Sequence, residues 1–230
     1  MQRYARHAAD FLSADGIKAL VVACNTASSL ALAELRIHLG PMPVIGVVEP
    51  GAAAAVAQSA TGRHLVLATE STTSQGAYTR EITRLAPDAK VTEMACSMFV
   101  ALAEEGWHQG PAARVIAEQY LAGVNAPDGP DTVILGCTHF PLLAPVIQDV
   151  VGPELTLVDS ASTTAEAVRV ALRELDLLQT AGGQLRLLAT DGASRFARVG
   201  SQFLGEPFTA ADIEVVDIHP ADLGAQGARG

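Results

Sequence analysis

The chain has 230 residues, 49% of them apolar and only 4% aromatic, and a formal charge of −10. That length allows one large α/β domain or two lobes of roughly 100 residues each, while the acidic balance argues against nucleic acid or an anionic membrane surface as partner. Three cysteines, Cys24, Cys96 and Cys137, lack the paired short spacing of a disulfide framework or a zinc site, so no metal is implied and a reduced, cytoplasmic setting is expected.

The elements alternate strand and helix almost throughout. Ile17 to Ala23 is a continuous apolar run, as in a strand buried on both faces. Thr26 to Leu39 has helical spacing and stops at Gly40-Pro41. Val44 to Val48 reads as a strand, then a break at Pro50-Gly51 and an Ala-rich helix to about Ala60. His64 to Ala68 is a strand, Gln75 to Leu85 a helix, and Lys90 to Met94 a strand. Helices follow over Phe99 to Glu105 and Pro111 to Ala122, then a loop by composition from Asn125 to Pro130. Thr132 to Gly136 is a buried strand, Pro141 to Val151 a helix, Leu155 to Val158 a strand and Ala161 to Leu178 a long helix. Leu185 to Thr190, a helix over Ala193 to Leu204 and Ile213 to Ile218 complete the series. The last residues, 221 to 230, read as a disordered tail.

An internal repeat carries the chemistry. Ile17 to Cys24 is a strand delivering a cysteine, followed by Asn25-Thr26; Asp131 to Cys137 does the same 113 residues later, followed by Thr138-His139. Each copy continues into a helix, a Gly-Pro pair and a short strand ending in an acid, Glu49 or Asp159, 25 and 22 residues beyond its cysteine. One such cysteine reads more simply as packing, because free cysteine is among the most buried residue types. Two of them, each in a repeated unit with polar followers, point to function. Cys96 has no repeat and no polar partner and reads as core. His139, two residues after Cys137, is placed to act as a base for that thiol.

Ligands of open α/β sheets bind beyond the carboxyl ends of the strands, where both Cys24 and Cys137 fall. The start of a following helix carries partial positive charge that favours a thiolate. Two lobes related by approximate two-fold symmetry would face these thiols across a cleft. A carbon acid between them would lose its proton to one thiolate and regain one from the opposite thiol, which inverts the stereocentre.

The runs Val21 to Ser28 and Ile134 to Leu143 resemble the two signatures of glutamate racemases, in the aspartate/glutamate racemase superfamily. The resemblance extends over Pro43 to Gly51, Ser74 to Tyr78 and Ala95 to Gly106. It implies an α/β fold of two pseudo-symmetric lobes with parallel sheets and an active-site cleft between them. One lobe comprises residues 1–48 plus 160–220 and the other 49–159. It implies Cys24 and Cys137 as the catalytic acid/base pair and Asn25, Thr26, Thr138 and His139 as substrate-binding residues. Glu104 would support the second thiol and Thr72 would touch the side-chain carboxylate. No cofactor is implied; the substrate is glutamate, the product serves peptidoglycan synthesis, and a homodimer is compatible. The family's first strand, ending in Asp-Ser-Gly, and its Pro-Tyr-Gly loop find no counterpart, since Gln2 to Ala14 match the helix that follows them. The first lobe is therefore expected to be N-terminally truncated.

Three other readings stay open on the residues. One is a related racemase acting on aspartate, hydantoins or arylmalonates; another is an inactive fragment. The third is a cysteine hydrolase using Cys137 and His139, which leaves the repeated Cys24 unexplained.

Overall fold

The computed structural model describes residues 1–179 and 181–218; the tail read at 221–230 lies outside the described residues. In chain order the elements are α1 (Gln2–Ala14), β1 (Leu20–Val22), α2 (Asn25–Leu39), β2 (Val44–Gly46), α3 (Val48–Gln58), β3 (Arg63–Ala68), α4 (Glu70–Gln75) and α5 (Ala77–Leu85). They continue with β4 (Lys90–Ala95), α6 (Ser97–Glu104), α7 (Pro111–Tyr120), β5 (Thr132–Gly136), a 3₁₀ turn (Phe140–Leu143), α8 (Ala144–Val151), β6 (Thr156–Asp159) and α9 (Ser160–Glu174). Then come β7 (Leu187–Ala189), α10 (Ala193–Leu204), a second 3₁₀ turn (Ala210–Asp212) and β8 (Ile213–Val215).

All pairings among the described strands are parallel: β1 with β2, a four-stranded sheet in the order β4-β3-β5-β6, and β7 with β8. The repeat read in the sequence is real as topology. β1–α2–β2 and β5–α8–β6 are each a strand, a crossover and a neighbouring parallel strand, with Val22 opposite Gly46 and Leu135 opposite Asp159.

Strand β5 is buried at every position, and β3 at five of six, as expected of strands covered on both faces. One side of the sheet packs Leu67, Phe99, Leu135, Phe140 and Ile147 together; the other packs Val66, Ile134 and Tyr78 against Ala52 and Ala55 of α3. A third cluster joins Ala9 of α1 to Leu20, Leu32, Leu35 and Val44. Helix α2 buries Ala27, Ser28, Ala31, Leu32 and Leu35, the i, i+3, i+4 stripe of an amphipathic helix.

Some expectations need correction. The strand expected over Val44 to Val48 ends at Gly46, and Val48, Glu49 and Pro50 open α3 instead of breaking the chain. Proline costs little in a first turn, where its missing N–H would have had no intrahelical partner. Glu49 is consequently no strand-terminal acid; it forms a two-pronged ion pair with Arg36 at 2.7 and 2.6 Å. Its counterpart Asp159 does end a strand, and caps α9 by accepting from the backbone N–H of Ala161 and Ser162. The helix expected over Gln75 to Leu85 is α5, and a further helix, α4, precedes it and meets it at Gly76, whose φ of 57° suits glycine. The helix expected from Pro141 begins as the 3₁₀ turn and becomes α-helical at Ala144. The strands expected over Ile17 to Ala23 and Ile213 to Ile218 shrink to three residues each, and the first is not buried on both faces, since Val21 is 40% exposed.

His64 in β3 is 2% exposed, with Nδ1 2.6 Å from the Thr132 hydroxyl and Nε2 without a partner. Burial lowers its pKa against the opposing pull of Asp131. A histidine with a depressed folded pKa contributes stability above its ordinary value of 6.5 that is lost as pH falls below it. Thermal melts should therefore show a falling Tm between about pH 6.5 and 5, and the His64→Gln variant should show a shallower fall over the same window.

Candidate active site

The sheet order β4-β3-β5-β6 sends the chain to opposite sides from β3 and β5, whose ends lie opposite each other at Ala68 and Gly136. Connections leaving in opposite directions open a crevice at the carboxyl edge, where open α/β sheets bind ligands. Thr69, the N-cap of α4, follows β3 there, and Cys137 follows β5.

The first cysteine loop closes over this edge. Cys24 follows β1, is exposed, and is itself the N-cap of α2. Ser28 anchors that turn: its hydroxyl donates to the Val22 carbonyl at 2.7 Å and accepts from the Val47 N–H at 3.3 Å. The two cysteine motifs then touch, because the Thr138 hydroxyl donates to the Ala23 carbonyl at 3.0 Å. Thr26 joins Thr69 and Thr72 in a triangle of hydroxyls with sides of 3.1 to 3.2 Å. Asn25, 2% exposed, accepts from the Tyr78 hydroxyl at 2.7 Å. Its amide nitrogen is buried without a partner.

The six site residues read from the sequence thus gather at one crevice, in two linked groups. Cys24, Asn25 and Thr26 lie on the α2 side. Cys137, Thr138 and His139 lie on the β5 side, with Glu104 behind them. His139 places Nδ1 3.8 Å from the Cys137 sulfur and Nε2 3.3 Å from Glu104. Glu104 is also paired with Arg195 of α10, which holds its carboxyl below the usual carboxylate range. The Phe203 ring stands edge-on to His139 at 5.5 Å, and a cavity of about 530 Å³ opens between His139, Glu104 and the first turns of α10. A second cavity, about 430 Å³, lies beside Ala23 and Thr138 and runs along α9. Among the described residues no cluster of histidine, cysteine and carboxylate side chains could hold a metal ion.

The two thiols are unequal, against the expectation that a helix start favours the thiolate at each. Cys137 is 7% exposed, and burial pushes its thiol up to about 11. The neighbouring Cys24 raises it further, against a hydrogen bond from the His139 backbone that lowers it. A helix start offsets little here because the chain after Cys137 enters a short 3₁₀ turn at Phe140 instead of an α-helix. Cys96 is core, as read: it is fully buried, and its thiol is pushed up to about 12 by burial.

A model of the Asp/Glu/Hydantoin racemase family matches residues 2–168. The chain belongs to that family. It is 45% identical over 205 residues to the glutamate racemase of Geobacter metallireducens, covering 88% of this chain and 75% of the relative. Among solved structures, a glutamate racemase isoform from Bacillus anthracis superposes with a TM-score of 0.86 at 32% identity, covering 94% of this chain and 80% of the other. The Francisella tularensis glutamate racemase, solved with D-glutamate, gives a TM-score of 0.84 at 29% identity and the same coverages. The two-lobed α/β fold with parallel sheets is that of these relatives.

Thr69 and Tyr78 complete the crevice, and sequence reasoning gave neither a role. Thr69 sits in a Ser/Thr-rich run (Ala68 to Ser74) that reads as an ordinary helix start. Tyr78 lies inside a stretch that matches the family, but nothing in its neighbours points to a partner 53 residues away.

The burial differences set a labelling order. Iodoacetamide at pH 8 should carbamidomethylate Cys24 at least about tenfold faster than Cys137 or Cys96, as peptide mass spectrometry would show, because the buried thiols are inaccessible and almost wholly protonated. Raised cysteine pKa values stabilise the folded chain below their ordinary value of 9.0 and cost stability above it. The Tm should therefore drop between about pH 9 and 11, and less steeply in Cys96→Ala.

Proposed function

We propose that the chain interconverts L- and D-glutamate by a two-thiol, cofactor-independent mechanism, supplying D-glutamate for peptidoglycan synthesis in the cytoplasm. The observation that carries this reading is the meeting of the two repeated cysteine motifs at one carboxyl-edge crevice, linked by Thr138 and the Ala23 carbonyl. The relatives' names support the substrate; the division into a lobe of residues 1–48 plus 160–220 and a lobe of 49–159 rests on the sequence repeat.

One thiolate removes the α-proton, leaving a planar carbanion, and the thiol on the opposite face returns a proton; the roles reverse for the other enantiomer. His139, whose Nε2 lies 3.3 Å from Glu104, takes the Cys137 proton through Nδ1 and returns it. Burial keeps Cys137 protonated in the resting site, which suits it to begin as the acid opposite a more accessible Cys24. Hydroxyls of Thr26, Thr69, Thr72 and Thr138 and the Asn25 amide hold the substrate's carboxylates and ammonium. Hydrogen bonds in a dry crevice are strong enough for this without a dedicated cation.

Cys24→Ala and Cys137→Ala should each abolish racemisation in both directions by circular dichroism, because every turnover uses both thiols. Serine at either position should cost about 10²-fold or more, its hydroxyl being a far weaker acid. Each one-cysteine variant should still exchange the α-proton of a single glutamate enantiomer with deuterium, and the two variants should prefer opposite enantiomers. The same enantiomer preference in both would sink the facing-thiol mechanism, and full racemisation without Cys24 would remove it from the reaction.

A further inference from the structure

We propose that Tyr78 is a positioning residue for the reaction: its phenol fixes the side-chain amide of Asn25 so that Nδ2, and not Oδ1, is presented to a substrate carboxylate. The inference rests on the glutamate reading above and names a residue to which that reading assigns no role.

The amide of Asn25 has two faces of opposite polarity and is symmetric in shape, so burial alone does not choose between them. Tyr78 chooses. Its hydroxyl is 2.7 Å from Oδ1, and the residue is fully buried. In this orientation the phenol O–H has an acceptor, while both N–H donors of Nδ2 lie on the other branch of the amide, buried and without a protein partner. Turned over, the amide would donate to the phenol oxygen, leave the O–H without that acceptor in a dry site, and present an oxygen to an anionic substrate. Each change is unfavourable.

The phenol is itself held in place. A Cβ at Gly51 would stand 3.3 Å from the Tyr78 hydroxyl, and one at Gly136 would stand 3.1 Å from the ring and 3.0 Å from the Leu67 carbonyl. Glycines on α3 and β5 therefore form a slot for the ring. Burial raises the phenol's pKa strongly, and the nearby carboxylates of Glu93 and Asp159 raise it further. Tyr78 accordingly remains a donor throughout the working range. The bond also joins α5, packed on the four-stranded sheet, to the first turn of α2, so the orientation of the amide depends on the crevice being assembled.

The experiment uses the full chain and removes one oxygen. Tyr78→Phe should stay folded, with a Tm lowered by several degrees because the buried Asn25 Oδ1 loses its donor. It should lower kcat/KM for both glutamate enantiomers about tenfold or more. If Tyr78 acts through Asn25, adding Tyr78→Phe to Asn25→Ala should change kcat/KM by less than about twofold, within the usual error of additivity. A readout without substrate decides the same point: the ¹⁵N side-chain amide signals of Asn25, assigned by their loss in Asn25→Ala, should shift or split in Tyr78→Phe. Additive losses in the double variant, or Asn25 amide signals unchanged in Tyr78→Phe, would overturn the proposal. A parent chain that fails to racemise glutamate would overturn the functional reading instead, and the amide signals would still decide the role of Tyr78.

Discussion

The carboxyl ends of β3 and β5 lie side by side while the chain leaves them in opposite directions, and the polar architecture of the site follows from that divergence. Backbone groups and side chains there cannot be covered by a crossover helix, so another part of the chain has to satisfy them. The first turn of α2 does so. Thr26 meets Thr69 and Thr72, Asn25 meets Tyr78, and Thr138 reaches back to the Ala23 carbonyl. The Tyr78–Asn25 bond is fully buried, where a lost partner costs the whole desolvation penalty of the group left behind. That asymmetry fixes α2 against the sheet more firmly than surface ion pairs such as Arg36–Glu49, whose partners are each more than 40% exposed.

Electrostatics divide the crevice into two unlike halves despite its repeated topology. Cys24 is exposed, and the residues after it bring hydroxyls and a buried amide. Around Cys137 the surroundings are a sheet end, a buried thiol, an imidazole and a carboxylate already paired with Arg195. The two cysteines therefore sit in unlike surroundings: Cys137 is buried with a histidine beside it, and Cys24 is exposed.

A chain of charge −10 that handles an anionic amino acid has to neutralise the substrate locally. The crevice offers neutral hydroxyls and an amide already fixed by hydrogen bonds, groups that need little reorganisation to meet an anion. The nearby arginine, Arg195, is occupied by Glu104, and that pairing leaves the carboxylate shared between a cation and His139. Helix α10, which also brings Phe203 against His139, is thus coupled to the half of the crevice that holds Cys137.

The sequence by itself marked β5 as a buried strand, since Val133-Ile134-Leu135 is an apolar run, although the same reading fails at β1, where only Leu20 is buried. It determined the duplicated strand–cysteine–helix unit, because apolar periodicity and a cysteine at a strand end are local facts. It likewise pointed to six of the side chains that gather at the crevice. Only the tertiary structure decided what sequence spacing cannot encode. Pro50 opens a helix because its place in a first turn removes the penalty that makes proline a breaker elsewhere. Cys137 is held protonated because burial by neighbours distant in sequence outweighs its place beside a short helical turn. Tyr78 and Thr69 join the site because α4 packs against α2 and the Tyr78 side chain reaches Asn25 from α5, an arrangement set by long-range burial that leaves no mark in the residues beside them.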